Sequence, residues 1–132
     1  MSKRADGLMA DFLDNRWVAS DSATNVTITA NVGAPSSAKA SRILDALSIC
    51  VANMNAAGAT ITAHVRDVSF AGTILAQWRL FVPGSTTAHV NPANLGIVAT
   101  RGKGLHFTTD TVIPSVTASV TATGWTDEST DY

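Results

Sequence analysis

Apolar and polar side chains alternate along much of the chain. From Ala59 to Arg66, Ile61, Ala63 and Val65 fall on one side and Thr60, Thr62, His64 and Arg66 on the other. Ser115 to Thr123 repeats this, with Val116, Ala118, Val120 and Ala122 opposed to Thr117, Ser119, Thr121 and Thr123. Asn25 to Ala30 is a shorter version, setting Val26, Ile28 and Ala30 against Thr27 and Thr29. Successive side chains of an extended strand point to opposite faces, so each run predicts a half-buried strand. Their Val, Ile and Thr suit a pleated surface. Thr73 to Val82 differs. Ile74, Ala76, Trp78, Leu80 and Val82 share one face, but Leu75 and Phe81 join Gln77 and Arg79 on the other. A strand that is apolar on both faces is central to its sheet, or one face meets another molecule. Ordinary core burial is the plainer expectation, with Trp78 in the core.

Two stretches carry a second period. Leu47, Ile49 and Val51 alternate within Ser41 to Asn53, yet Leu44, Leu47, Val51 and Met54 also trace a helical stripe. The strand is preferred there, because its neighbours are strands and a hairpin-type turn follows at Asn53 to Gly58. Leu8, Met9, Phe12, Leu13 and Trp17 stand at helical spacing, which predicts a short amphipathic helix within Ala5 to Trp17. That segment would lie over its own domain or reach a neighbouring subunit. Turn signals at Asp67 to Gly72, at Pro83-Gly84-Ser85 and at Arg101-Gly102-Lys103-Gly104 separate the strands, the last as a hairpin before Leu105, His106 and Phe107. Val32 to Ser41, rich in Gly, Ala and Ser, reads as a loop. The expected fold is all-β: an antiparallel β-sandwich, jelly-roll-like, of about 7–8 strands. It would comprise an N-terminal arm or short helix over residues 1–24, a sandwich over 25–125 and an acidic tail over 126–132.

Composition narrows the function. At 132 residues the chain has the length of one domain. Only 14% of residues are charged and the net charge is -1, so no basic excess draws a nucleic-acid backbone. Lys3 and Arg4 begin the chain and Asp127, Glu128 and Asp131 stand near its end. Such oppositely charged tails either pair with neighbours or stay solvated. Cys50 is the one cysteine, which excludes an internal disulfide, and its apolar run suits a buried structural thiol. No run approaches the ~18 apolar residues of a membrane-spanning helix. Met1 to Ala10 lacks the apolar stretch of a secretion signal, so production and assembly in the cytoplasm are expected.

Candidate chemistry is sparse. His64, His89 and His106 have no metal-type partner at ligand spacing, and His64 and His106 fall on polar strand faces where a surface position is expected. No Gly-x-Ser-x-Gly elbow occurs, and Glu128 is the only glutamate. Asp45, Asp67 and Asp110 suit turn or solvated roles. Arg101 to Gly104 could hold an anion but lacks the phosphate-loop pattern and reads better as a turn. Asn25-Val26-Thr27 matches a glycosylation sequon by chance if no secretion occurs. No catalytic residue, metal ligand or cofactor site is assigned. Trp17 and Trp125 flank the β region, as anchors within the monomer or as side chains inserted into a partner.

The run from Leu47 to Trp78 reads Leu-Ser-Ile-Cys-Val-Ala-Asn, a small-residue turn, Ile-Thr-Ala-His-Val-Arg-Asp, then Gly-Thr-Ile-Leu-Ala-Gln-Trp. Later come Asn94 to Thr100 and Gly104-Leu105-His106-Phe107. Over roughly Ala46 to Gly124 this resembles small β-sandwich proteins encoded among the virion genes of tailed bacteriophages. The similarity is one of hydrophobic pattern and turns, not of a catalytic signature. It implies a non-enzymatic virion part, first a capsid decoration protein and second a tail or fibre component. The implied partners are further copies of the chain, as a trimer or another ring, and other virion proteins such as the major capsid protein. Nucleic acid, membrane and cofactors are not implied. Contacts would come from the terminal segments: Leu8, Met9, Phe12, Trp17, Trp125 and Tyr132. A receptor- or carbohydrate-binding β-sandwich, using Trp125 and His89, is the competing expectation. An enzyme comes third.

Overall fold

The computed structural model describes residues 15–25, 27–109 and 113–128. Nine strands follow in chain order: β1 (Arg16–Thr24), β2 (Thr29–Val32), β3 (Ser41–Asn53), β4 (Ala59–Asp67), β5 (Ile74–Val82), β6 (Thr86–Val90), β7 (Ile97–Val98), β8 (Leu105–Thr109) and β9 (Val116–Asp127). The described residues form no helix. One sheet has the order β1-β9-β3-β6, with β7 also against β3, and the other has the order β2-β8-β4-β5. Every pairing is antiparallel. With the short β7 set aside, each step along the chain crosses between sheets except the β4–β5 hairpin. This is the strand order of a jelly-roll sandwich.

The inner faces supply the core. Ile28, Leu44, Ile49, Val51, Ile61, Val65, Val82, Leu105 and Phe107 have almost no exposed surface. Burying each such side chain contributes about 1.5–3 kcal/mol. Trp17 joins them from β1. Its ring tilts against Phe107 with centroids 6.3 Å apart, and its Nε1 donates to the Trp125 carbonyl at 3.1 Å. Trp17 pairs directly with Gly124. A methyl group on Gly124 would collide with the Trp17 indole and with the Ile43 carbonyl.

A bulge explains the double period of β3. The β3–β9 register slips between Leu44 and Ala46, leaving Asp45 unpaired. One extra residue resets the alternation, so Leu44 and Leu47 both point inward although they are three apart. The helical stripe is therefore a bulged strand, and Met54, its fourth member, lies outside the strand and exposed. The bulge backbone is satisfied from the β6–β7 connection, where Leu95 N donates to the Asp45 carbonyl and Leu47 N to the Pro92 carbonyl, both at 2.9 Å.

Buried polar groups tie down the two ends. Asn53 is fully buried. Its Nδ2 donates to the carbonyls of Ala57 at 2.9 Å and Val82 at 3.1 Å, while its Oδ1 accepts from Asn55 N at 3.0 Å. At the opposite end Arg42 points inward. It donates through Nε to the Gly33 carbonyl at 2.9 Å and through Nη1 to Thr126 Oγ1 at 2.6 Å. Burial lowers the Arg42 pKa and Glu128 opposes that shift.

Several expectations need correction. Residues 16–24, placed in an arm by their pattern, form β1 along the whole length of β9. After Trp17 and Val18 this edge strand is built from Ser, Ala, Thr and Asp, so its alternation is faint. The acidic tail begins later than expected, since Thr126 and Asp127 belong to β9. The first strand predicted over Asn25 to Ala30 is displaced to Thr29–Val32 with the same inward parity, Ile28, Ala30 and Val32 being buried. The turns at Asn53 to Gly58 and Arg101 to Gly104 are not hairpins, because each carries the chain from one sheet to the other. Cys50 is half-buried on the outer face of β3 rather than in the core. The predicted helix lies mostly outside the described residues.

Gly124→Ala is expected to destabilise the fold by about 2–3 kcal/mol in urea unfolding, the range for overpacking against fixed atoms. Gly33→Ala, where nothing lies within 4 Å of an added methyl, should change stability by less than about 1 kcal/mol. Asn53→Asp keeps the shape but replaces two donated hydrogen bonds with a carboxylate facing carbonyls, and should cost about 3 kcal/mol or more.

Candidate functional site

The outer face of the β2-β8-β4-β5 sheet departs from the Thr-rich surfaces elsewhere. Its strand register sets Thr60 beside Phe81, Thr62 beside Arg79, His64 beside Gln77 and Arg66 beside Ile74. On the other side of β4, His64 faces Thr108 and Arg66 faces His106. Thr29 and Asn31 of β2 complete the face. No Asp or Glu stands among these positions.

β5 is the edge of that sheet. The double apolar pattern of Thr73 to Val82 therefore does not mean a central strand. Leu80 and Val82 are buried and Trp78 packs partly buried against the core, but Phe81 is 65% exposed and Ile74 43% exposed. Val68 and Phe70, in the β4–β5 turn, are exposed near the Ile74 end of the strand, with Phe81 at its other end. The Phe81 ring lies over Gly58, closer than a side chain there would allow. An unpaired edge with large apolar side chains along it is a surface suited to another chain.

The histidines are not the plain surface groups expected. His64 is 8% exposed, because β4 is flanked on both sides by β8 and β5. The Nδ1 atoms of His64 and His106 are buried without a hydrogen-bond partner. His106 meets Phe70 edge-on, with centroids 4.6 Å apart and planes at 80°. Burial holds the His106 pKa below the usual histidine range, partly opposed by Asp67. The Asp67 carboxylate is itself held by Thr100, whose N donates at 2.9 Å and whose hydroxyl donates to the second oxygen.

Beside these groups runs a groove of ≈ 260 Å³, lined by Thr27, Ile28, Thr29, Arg66, Phe70, Thr108 and Thr109. Arg66 crosses it. Its Nη1 donates to the Gly72 carbonyl at 2.9 Å and its Nε makes a long contact of 3.4 Å with Thr108 Oγ1.

The outer face of the other sheet carries mostly small uncharged side chains. Val18, Ser20, Ser22 and Thr24 of β1 stand beside Thr123, Thr121, Ser119 and Thr117 of β9. Ala46, Ser48, Cys50 and Ala52 follow on β3. His89 of β6 faces Cys50. Among the described residues no group of three or more His, Cys, Asp or Glu could hold a metal ion.

The contact residues named from sequence are only partly placed. Leu8, Met9, Phe12 and Tyr132 lie outside the described residues. Trp17 is 8% exposed and built into its own core, while Trp125 is half-buried on the outer face of β9. His89 and Trp125, the groups proposed for carbohydrate, both stand on strands rather than loops. Pattern alone did not single out Phe70 or Arg66. The cue available was a bulky aromatic in a turn otherwise built of Ser, Ala and Gly.

No family model and no curated protein matches the sequence. Among solved structures the chain is similar to a Bacillus endospore appendage protein of disulfide-linked pili, at 10% identity and TM-score 0.38, covering 86% of this chain and 87% of that one. It is similar to Tobacco streak virus coat protein at 12% identity and TM-score 0.40, covering 87% and 89%. Infectious bursal disease virus, Gx strain, follows at 13% identity and TM-score 0.42, covering 89% of this chain and 33% of that one. At such identities no function transfers from any of them.

The lowered His106 pKa has a stability consequence. As pH falls, the unfolded chain, with an ordinary histidine pKa of ~6.5, takes up this proton before the folded one. Proton uptake then favours unfolding. The stability that goes with neutral His106 is complete above about pH 6.5 and is lost as pH drops through the lower folded value. Urea midpoints of His106→Gln should therefore fall less steeply than those of the parent between about pH 7 and pH 5.

Proposed function

We propose that this chain is a non-enzymatic structural protein of a tailed phage particle, and that it decorates the capsid surface as a symmetric oligomer. The single observation that carries the reading is the unpaired edge strand β5 with large apolar side chains open to solvent at both ends, Phe81 at one and Ile74 with the turn residues Val68 and Phe70 at the other. A chain that remained alone would leave these side chains in water along an unpaired strand, the arrangement that edge strands ordinarily avoid. The jelly-roll strand order supports the same reading by fold-level analogy, since capsid proteins use it often, as do lectins and cupins. The Ser- and Thr-rich face of the other sheet adds a broad, weakly charged area that tolerates close approach. In a particle the same contact is repeated under symmetry, so a modest interface suffices.

The test is the state of the full chain. Light scattering should give an oligomer, and the protein should co-sediment with phage heads. Phe81→Ser, at an exposed position, should leave the β-type circular-dichroism spectrum and the melting temperature nearly unchanged while weakening head binding at least tenfold. A monomer at all concentrations that ignores heads would overturn the proposal. Removal of residues 1–16 tests the arm separately, with weaker assembly expected from a chain that still folds.

A further inference from the structure

Arg66 stands on the outer face of β4, and no carboxylate partner is assigned to it among the described residues. Two of its N–H groups are engaged, by the neutral Gly72 carbonyl and the Thr108 hydroxyl. The guanidinium has five donors, so three remain without an assigned acceptor among the described residues. Two described carboxylates that flank groove residues, Asp67 next to Arg66 in sequence and Asp21 against Thr29, already have partners. Asp67 is held by Thr100, and Asp21 Oδ2 accepts from Thr29 N at 3.0 Å. The two acceptors fix the guanidinium across the groove, which reduces the entropy lost when a planar anion binds.

The rest of the groove is not that of a simple anion site. Phe70 forms one wall, steadied by the edge of His106. Thr27, Thr29 and Thr108 bring hydroxyls that can donate or accept. A small inorganic anion would use the cation and leave the ring and most hydroxyls idle. A carboxylated sugar uses all three: the carboxylate meets Arg66, the C–H face of the ring lies on Phe70, and its hydroxyls meet the threonines. The volume of ≈ 260 Å³ lies below the ~300 Å³ lower bound of drug-sized pockets, which suits about one sugar ring. We infer that the groove between β2, β8 and β4 binds a hexuronic acid unit, with Arg66 holding the carboxylate and Phe70 the ring face. This site shares Phe70 with the exposed apolar surface used above, but its ligand is tested independently of the assembly role.

The test titrates the full chain with methyl β-D-glucuronide, methyl β-D-glucoside, acetate and inorganic phosphate, followed by isothermal calorimetry and by the methyl NMR signals of Thr29 and Thr108. The glucuronide should bind at least tenfold more tightly than the glucoside and than acetate, and should shift both methyl signals. Arg66→Gln should lose at least tenfold in glucuronide affinity. Because Arg66 also bonds to Gly72, Phe70→Ser provides a second variant that keeps the cation and should lose glucuronide affinity while leaving the melting temperature within a few degrees. Equal binding of glucuronide and glucoside, or none of either, overturns the inference. So does acetate or phosphate binding as tightly as the glucuronide with Phe70→Ser unaffected, which marks a plain anion site.

Discussion

Phe107, Leu105, Val65 and Ile61 of one sheet face Ile49, Val51 and Val120 of the other, and the rest of the molecule is arranged around that apolar layer. Neither sheet could remain in water with such a face open, since each of these side chains gains about 1.5–3 kcal/mol by burial. Stacked sheets lie about 10 Å apart, a gap that these aliphatic side chains fill from both sides. The crossing order of the strands follows from the same need.

Where the layer reaches its limits, polar groups take over. Asn53 closes one end by satisfying carbonyls of the β3–β4 and β5–β6 connections. Arg42 closes the other by holding the β2–β3 loop to β9. The bulge at Asp45 lets β3 run the length of the sheet while keeping Leu44 and Leu47 both inward. Gly124 makes room opposite the bulge for the Trp17 ring. These features explain why β1, with little apolar content, is nevertheless an integral strand: one indole fastens it.

The inward layer also decides what remains outside. Side chains that alternate away from it are mostly Thr, Ser and Ala, which pack flat and carry no charge. The outer face of the β2-β8-β4-β5 sheet is the exception, with two arginines, the buried His64, the half-buried His106 and exposed apolar groups at both ends of its β5 edge. Interaction chemistry is therefore concentrated on one side of the sandwich. The aromatic edge suits a protein surface, and the Arg66 groove suits a small polar anion.

Period-two alternation made β4, β5 and β9 legible from the residues alone, and with them the all-β class, because the direction of a side chain in a strand depends only on its place in the chain. The inward parity of Ile28 and the strand character of Ser41 to Asn53 were legible on the same ground. Which strand lies beside which was not. Pairing joins residues far apart in sequence, as Trp17 joins Gly124, and nothing local marks the partner. That is why β5 looked central and proved to be an edge, why a bulge imitated a helix in β3, and why Arg66, one residue before the end of β4, and Phe70, inside the turn that follows, acquired a common groove only when β2 and β8 closed beside them.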